Sequence, residues 1–375
     1  MLTPESRLAD FPTLEGETYL NTAAEGIFPR TTCEAIARYA EHKCLGSEGR
    51  PRLFAELDNC RAKSGKLLNL SAEEVAFCSS SSEAYNLLAS ALSLKSEDDV
   101  VITDLDFPAG ATPWLSLPDR PTTHLWKHRD GVLELENLAS LLNERTRLVQ
   151  VSLVSFLTGY RIPWAPLRDL VRERAPQAVL SVDVTQAAGR VALDCLDADC
   201  IIGSTYKWLL GSHGGALVAV PKASEEKITT RAGGWYHLEN AFAADRFERA
   251  EPRRGAAGFA VGMPNFPAIY ALSASLDFLH AVGIEAIAAH ADPLVARLHE
   301  GLRDRDIAPM SPPQPDNASG IVSFQHPRDA EIYADLQRQK IHVMHQAGRL
   351  RVSLHGYNTE EDVECLLDAL KKVGA

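Results

Sequence analysis

Apolar and polar positions along the chain switch repeatedly between two periods. Residues 31–45 and 52–68 space their apolar side chains as one helical face, and 74–78 is a short apolar run of strand length. A helix over 82–94 follows, with Ala84, Leu87, Leu88 and Ala91 on one face. The pattern then predicts a strand at 100–103, a proline-marked helix at 108–117, a strand at 148–154 and a helix at 166–174. Three more apolar runs, 178–182, 200–203 and 216–220, read as strands. Strands that are apolar throughout and separated by helices belong to a sheet buried on both faces, hence a mostly parallel one.

Beyond about residue 265 the rhythm changes. Helical spacing covers 268–282 and 284–303, and a proline-rich break spans 309–315. A strand at 320–324, a helix at 330–339, a strand at 350–354 and a closing helix at 359–372 complete the chain, with Asn358 or Thr359 positioned to cap the last helix. There is no internal repeat. The expected organisation is an α/β protein with an amino-terminal arm (1–20) joining the small domain or crossing the site entrance, a large domain (21–262) and a smaller α+β carboxyl-terminal domain (263–375).

Of 375 residues, 45% are hydrophobic and 23% charged, enough apolar side chain for a large core and too little charge for disorder. Fifty acidic against 38 basic residues leave a net charge of −12 with no dense Lys/Arg run, which argues against nucleic acid as a partner. The long uncharged stretch 255–276 is interrupted by Pro264, Asn265 and Pro267, so it reads as a buried loop feeding a helix and no membrane partner is expected. The first residues lack the apolar core of a secretory signal, and the seven cysteines form no CxxC pair. Reduced thiols and a cytoplasmic location are the expectation.

Neither GxGxxG nor GxxxxGK[ST] occurs, so no nucleotide fingerprint is present. His124 and His128, and likewise His342 and His345, lack the further ligands a metal site needs, and no metal is expected. Three segments carry candidate chemistry. Ser79 to Ser82 lie between a strand and a helix, where hydroxyls and free N–H groups suit a phosphate or simply cap the helix. Asp183 ends a buried strand with Gln186 three residues on, facing a ligand crevice or making a structural salt bridge. Lys207 stands alone in the apolar and aromatic run Ser204-Thr-Tyr-Lys-Trp208, as a desolvated nucleophile or as a lysine reaching to water.

Taken in order, the Ser-rich loop, the Asp-x-x-Gln and the Ser-x-Tyr-Lys resemble the class V aminotransferases. These are pyridoxal 5′-phosphate (PLP) enzymes of fold type I that include cysteine desulfurases, isopenicillin-N-epimerase-like proteins and kynureninases. The resemblance runs from Tyr19-Leu-Asn-Thr-Ala-Ala24 to the segment 350–362. It implies that Lys207 carries the cofactor as a Schiff base and moves the α-proton, and that Asp183 pairs with the pyridine nitrogen while Gln186 reaches the phenolic oxygen. It implies that Phe107 stacks on the ring, that Ser81, Ser82, Ser204 and Tyr206 surround the phosphate, and that Arg351 receives the substrate carboxylate. It further implies a homodimer and an amino-acid substrate. Transamination is the leading activity, a C–S or C–C lyase reaction the alternative, and a PLP-binding protein without turnover a third possibility. Four departures bear on this. No cysteine occurs in 341–349, where desulfurases carry their nucleophile. Tyr206 replaces the desulfurase His, Met263 the Thr of Gly-Thr-Pro, and Ser155-Phe156 an Asn beside the phenolic oxygen.

Overall fold

A computed structural model describes residues 1–116, 119–314 and 317–372. Leu117, the expected end of one helix, Pro315, the last residue of the proline-rich break, and the chain end at 373–375 lie outside the described residues. The strands are β1 (Thr18–Tyr19), β2 (Val75–Cys78), β3 (Asp99–Thr103), β4 (Thr122–Trp126), β5 (Thr146–Ser152), β6 (Val179–Asp183), β7 (Cys200–Ser204), β8 (Ala216–Ala219), β9 (Ile321–Gln325), β10 (Ile341–His342), β11 (Met344–Gln346) and β12 (Arg349–Ser353). Seven of them form one sheet in the order β2-β8-β7-β6-β5-β3-β4. Only β8 runs against its neighbours. The inner strands β3, β6, β7 and β8 are buried along their whole length, which is why their sequences lack a polar alternation.

The helices are α1 (Pro4–Asp10), α2 (Arg30–Cys44), α3 (Arg50–Leu68), α4 (Ser81–Leu92), α5 (Pro108–Ser116), α6 (Leu135–Leu141), α7 (Trp164–Arg174), α8 (Phe266–Val282), α9 (Ile284–Arg303), α10 (Asp329–Arg338) and α11 (Glu360–Lys372). Local chemistry sets their ends. Ser80 caps α4 by accepting the Glu83 N–H, and Asn69 closes α3 in the left-handed region. Thr359 accepts the Asp362 N–H at the start of α11, whose first turn carries three acids that favour the positive helix end.

Two apolar bodies result. One packs both faces of the seven-stranded sheet, with Val101, Val149 and Leu180 on the side that takes Phe266, Ile269, Leu272 and Leu276 of α8, and Val100, Ile102 and Leu148 on the other. The other joins Leu294 and Leu298 of α9, Val322 of β9, Leu350 and Val352 of β12 and Leu366 of α11 around the three-stranded sheet β11-β12-β9. We therefore propose that the domain boundary lies at Gly283, where the chain bends 75° between α8 and α9, later than the 262/263 read from sequence. The amino-terminal segment reaches back to the second body, β1 pairing in parallel with β10. Among the described residues no single helix is long and apolar enough to cross a membrane.

Candidate active site at the carboxyl ends of the parallel strands

Parallel strands point all their carboxyl ends to one edge of the sheet, and ligands of open α/β sheets bind there. Asp183 ends β6, Ser204 ends β7, Ser152 ends β5, and the turn after β3 delivers Phe107. Ser81 opens α4 directly after β2. A cleft with about 350 Å³ of empty space forms among these ends and the loop from Thr205 to Lys207.

The structure brings Ser81, Phe107, Asp183, Gln186, Ser204, Tyr206 and Lys207 together around this cleft. Ser82 is exposed and its hydroxyl is not part of the lining. Side chains in the first turn of a helix fan outward, whereas the backbone N–H groups of Ser81 and Ser82 have no partner within the helix and remain free for an anion. The hydroxyls of Ser204 and Ser81 are 3.1 Å apart.

Lys207 is 8% exposed, with its Nζ 5.4 Å from the Phe107 ring centroid and 5.4 Å from that of Tyr206. Burial pulls its pKa down to about 8, with the charge of Arg351 acting in the same direction and Asp183 against it. Its backbone is pinned from below. Gly26 donates its N–H to the Tyr206 carbonyl at 2.8 Å, and a Cβ at Gly26 would lie 2.1 Å from the Lys207 carbonyl oxygen.

Asp183 is buried and fixed by two donors, the Thr185 N–H at 2.7 Å and the Tyr85 hydroxyl at 2.8 Å. Gln186 donates to the Ala23 carbonyl at 3.1 Å and accepts the Trp208 indole N–H at 2.6 Å, which leaves one amide hydrogen unassigned. Tyr206 stacks on His213 at 4.4 Å.

Arg351 reaches the site from the other body. Leu350 and Val352 turn into the second core, so Arg349, Arg351 and Ser353 face the large sheet. Arg351 is buried and donates from Nη1 to the Phe156 carbonyl at 2.9 Å. Desolvation, with the Arg349 charge beside it, lowers its pKa to about 10.

Several contributors escape a reading of the sequence. Tyr85 was marked only as part of a helix, yet a Tyr on the otherwise apolar face of α4 needs a hydrogen-bond partner, and Asp183 is that partner. Thr185 accepts the Ser204 N–H at 2.9 Å and so ties β7 to the Asp183 turn. Phe156, singled out in the sequence only as a departure from the family's Asn, meets Phe107 edge to face at 5.1 Å. Asp106 is buried, and burial pushes its pKa up to about 7 against the lowering effect of Ser152 and the Thr103 backbone.

A recess that offers free helix N–H groups and hydroxyls for an anion, an aromatic face, a buried carboxylate and a desolvated amine suits a flat heteroaromatic phosphate with a reactive carbonyl. Comparison with known proteins points the same way. The chain is 26% identical over 369 residues to the uncharacterized aminotransferase YcbU of Bacillus subtilis, covering 98% of this chain and 97% of that one. Its fold superposes on a cysteine desulfurase from Thermococcus onnurineus NA1 with a TM-score of 0.89 at 22% identity, over 100% and 98% of the two chains. The cystine C-S lyase C-DES gives 0.87 at 22% identity over 96% and 98%, and one of its structures holds glycine linked covalently to a PLP cofactor. The aminotransferase class-V model matches residues 18–366, nearly the whole of the chain whose parallel-strand edge carries this recess, and the protein belongs to that family, with fold type I architecture and pyridoxal phosphate as its cofactor.

Proposed function

We propose that the protein transaminates an α-amino acid, with Lys207 carrying the cofactor. The observation that carries this reading is a desolvated Lys207 and a doubly anchored Asp183 in one cleft, with a buried Arg351 from the other core bonded to Phe156 of its lining and its charge felt at Lys207. When bound, pyridoxal phosphate supplies an electron sink that acidifies the α-proton of the amino acid.

The chain's own residues do the rest. The Lys207 amine, with its pKa lowered toward 8, takes up and returns a proton at the substrate Cα. Asp183, held still by Tyr85 and Thr185, keeps a proton on the pyridine nitrogen. The N–H groups opening α4 and the hydroxyls of Ser81 and Ser204 bind the phosphate, and the free amide hydrogen of Gln186 serves the phenolic oxygen. Phe107 and Phe156 screen the amine from water. Arg351 orients the α-carboxylate through the guanidinium edge not used on Phe156. We include in this reading a homodimer, with Met263, 43% exposed, at the subunit contact.

One observation favours a second reading, elimination at the β-carbon without a persulfide. No cysteine lines the cleft, and the hairpin from β10 to β12 contains none. A sulfur leaving group would then depart into solution. The test is a panel of amino acids with keto acids, measuring keto-acid exchange against release of ammonia, sulfide or alanine. Exchange that conserves the amino group supports transamination. Stoichiometric ammonia with a keto acid and no acceptor dependence overturns it in favour of elimination.

A further inference from the structure

Arg351 has a neighbour that the reading above leaves without a task. Arg349 lies two residues earlier on β12, about 6.7 Å away along the strand, and leaves from the same face. It is 4% exposed, with its guanidinium 5.7 Å from the centroid of the Phe156 ring. Nη1 reaches only the Gln346 carbonyl at 3.4 Å, while Nε and Nη2 make no hydrogen bond. Those two atoms form the side-on fork with which a guanidinium takes both oxygens of a carboxylate.

Among the described residues no carboxylate pairs with either arginine, and burial lowers the pKa of Arg349 with no acid opposing it. Two adjacent buried cations without an anion are costly, and an anion that arrives with a ligand relieves the cost. One α-carboxylate fills one fork. Phe156 touches both, its carbonyl bonded to Arg351 and its ring 5.7 Å from the Arg349 guanidinium, so the two arginines engage different parts of that residue. We propose that Arg349 binds a second anionic group, so that the site selects α-amino acids whose side chain ends in a carboxylate or another oxyanion. This rests on Arg351 as the α-carboxylate residue and extends that reading to the substrate class.

The test uses the cofactor-loaded protein. Turnover of L-aspartate and L-glutamate is compared with that of L-asparagine and L-glutamine, which match them in shape but lack the second charge. Wild-type protein should prefer the acids, and in Arg349→Gln the acid-to-amide ratio of kcat/KM should fall about 10- to 100-fold, with Arg349→Lys in between. In parallel, calorimetric titration of the wild-type protein with succinate and glutarate is set against butyrate, none of which carries an amine. Tighter binding of the dicarboxylates supports the proposal even where a variant does not fold. Equal loss on acids and amides, or dicarboxylates binding no tighter than butyrate, overturns it and assigns both arginines to a single carboxylate. If no amino acid turns over, the proposed reaction falls, and the dicarboxylate titration still decides the role of Arg349.

Discussion

Replacing Asp106 with Asn should make the protein more stable at pH 8 and leave it little changed at pH 4. Asp106 immediately precedes Phe107 and is 8% exposed, and what Ser152 and the Thr103 backbone offer its carboxyl only partly offsets the cost of burial. Burial, reinforced by the Asp183 charge, raises its pKa from 3.8 to about 7. Well below pH 4 the carboxyl is protonated in both folded and unfolded chains, so it does not bias folding. Between pH 4 and 7 the unfolded chain gives up the proton while the folded chain retains it, and stability is lost through that window. Above pH 7 the folded state holds an ionised carboxylate at a cost of about 4 kcal/mol, at ~1.4 kcal/mol per pH unit. Asn keeps the shape and removes the charge. The stability difference between Asp106→Asn and wild type should therefore grow by about 4 kcal/mol from pH 4 to pH 8, about 5 °C in Tm for a chain of this length. Scanning calorimetry of both proteins at four pH values measures it, and subtracting wild type removes every other titrating group. A difference that is flat with pH, or that moves against the variant as pH rises, refutes the reasoning. The consequence for the site is that near neutral pH the Asp106 carboxyl beside Phe107 is still partly protonated.

Three further outcomes are expected. Asp183→Asn should retain the cofactor, since the phosphate is held elsewhere, but lose α-proton exchange with deuterated water by orders of magnitude; near wild-type exchange would remove Asp183 from its role. Gly26→Ala should cost about 1–3 kcal/mol and shift the absorbance of the bound cofactor, because the new methyl group meets the Lys207 carbonyl oxygen at 2.1 Å. During turnover of cysteine, intact-mass spectrometry should find no stable sulfur adduct, since none of the seven cysteines lines the cleft.

What the sequence disclosed follows from what local physics determines. The apolar runs of the inner strands were legible because burial on both faces leaves no room for polar residues, as in Asp99–Thr103 and Cys200–Ser204. Thr122–Trp126 was missed because a half-exposed edge strand keeps polar residues such as Thr122 and His124. The strand at 350–354 was legible from its apolar positions, yet starting it at its first apolar residue left out Arg349, which opens the observed strand. Nothing in the sequence Asp104-Leu-Asp106 marks Asp106 for burial, which only the folded structure reveals. Tyr85 and Thr185 bond across the sheet, to partners 98 and 19 residues away, a distance no local pattern encodes. The later boundary we propose has no signal in the sequence, because α8 and α9 both carry helical patterns and it is α8's contact with α2 and α3 that ties it to the larger core.

The most direct test of the central claim is chemical. Treating the yellow, cofactor-loaded protein with borohydride and mapping its peptides should fix the pyridoxyl group on the peptide containing Lys207 and on no other. A label on a different lysine, or a protein that takes up no cofactor, would contradict the assignment of the cleft at the carboxyl ends of β6 and β7 as the active site.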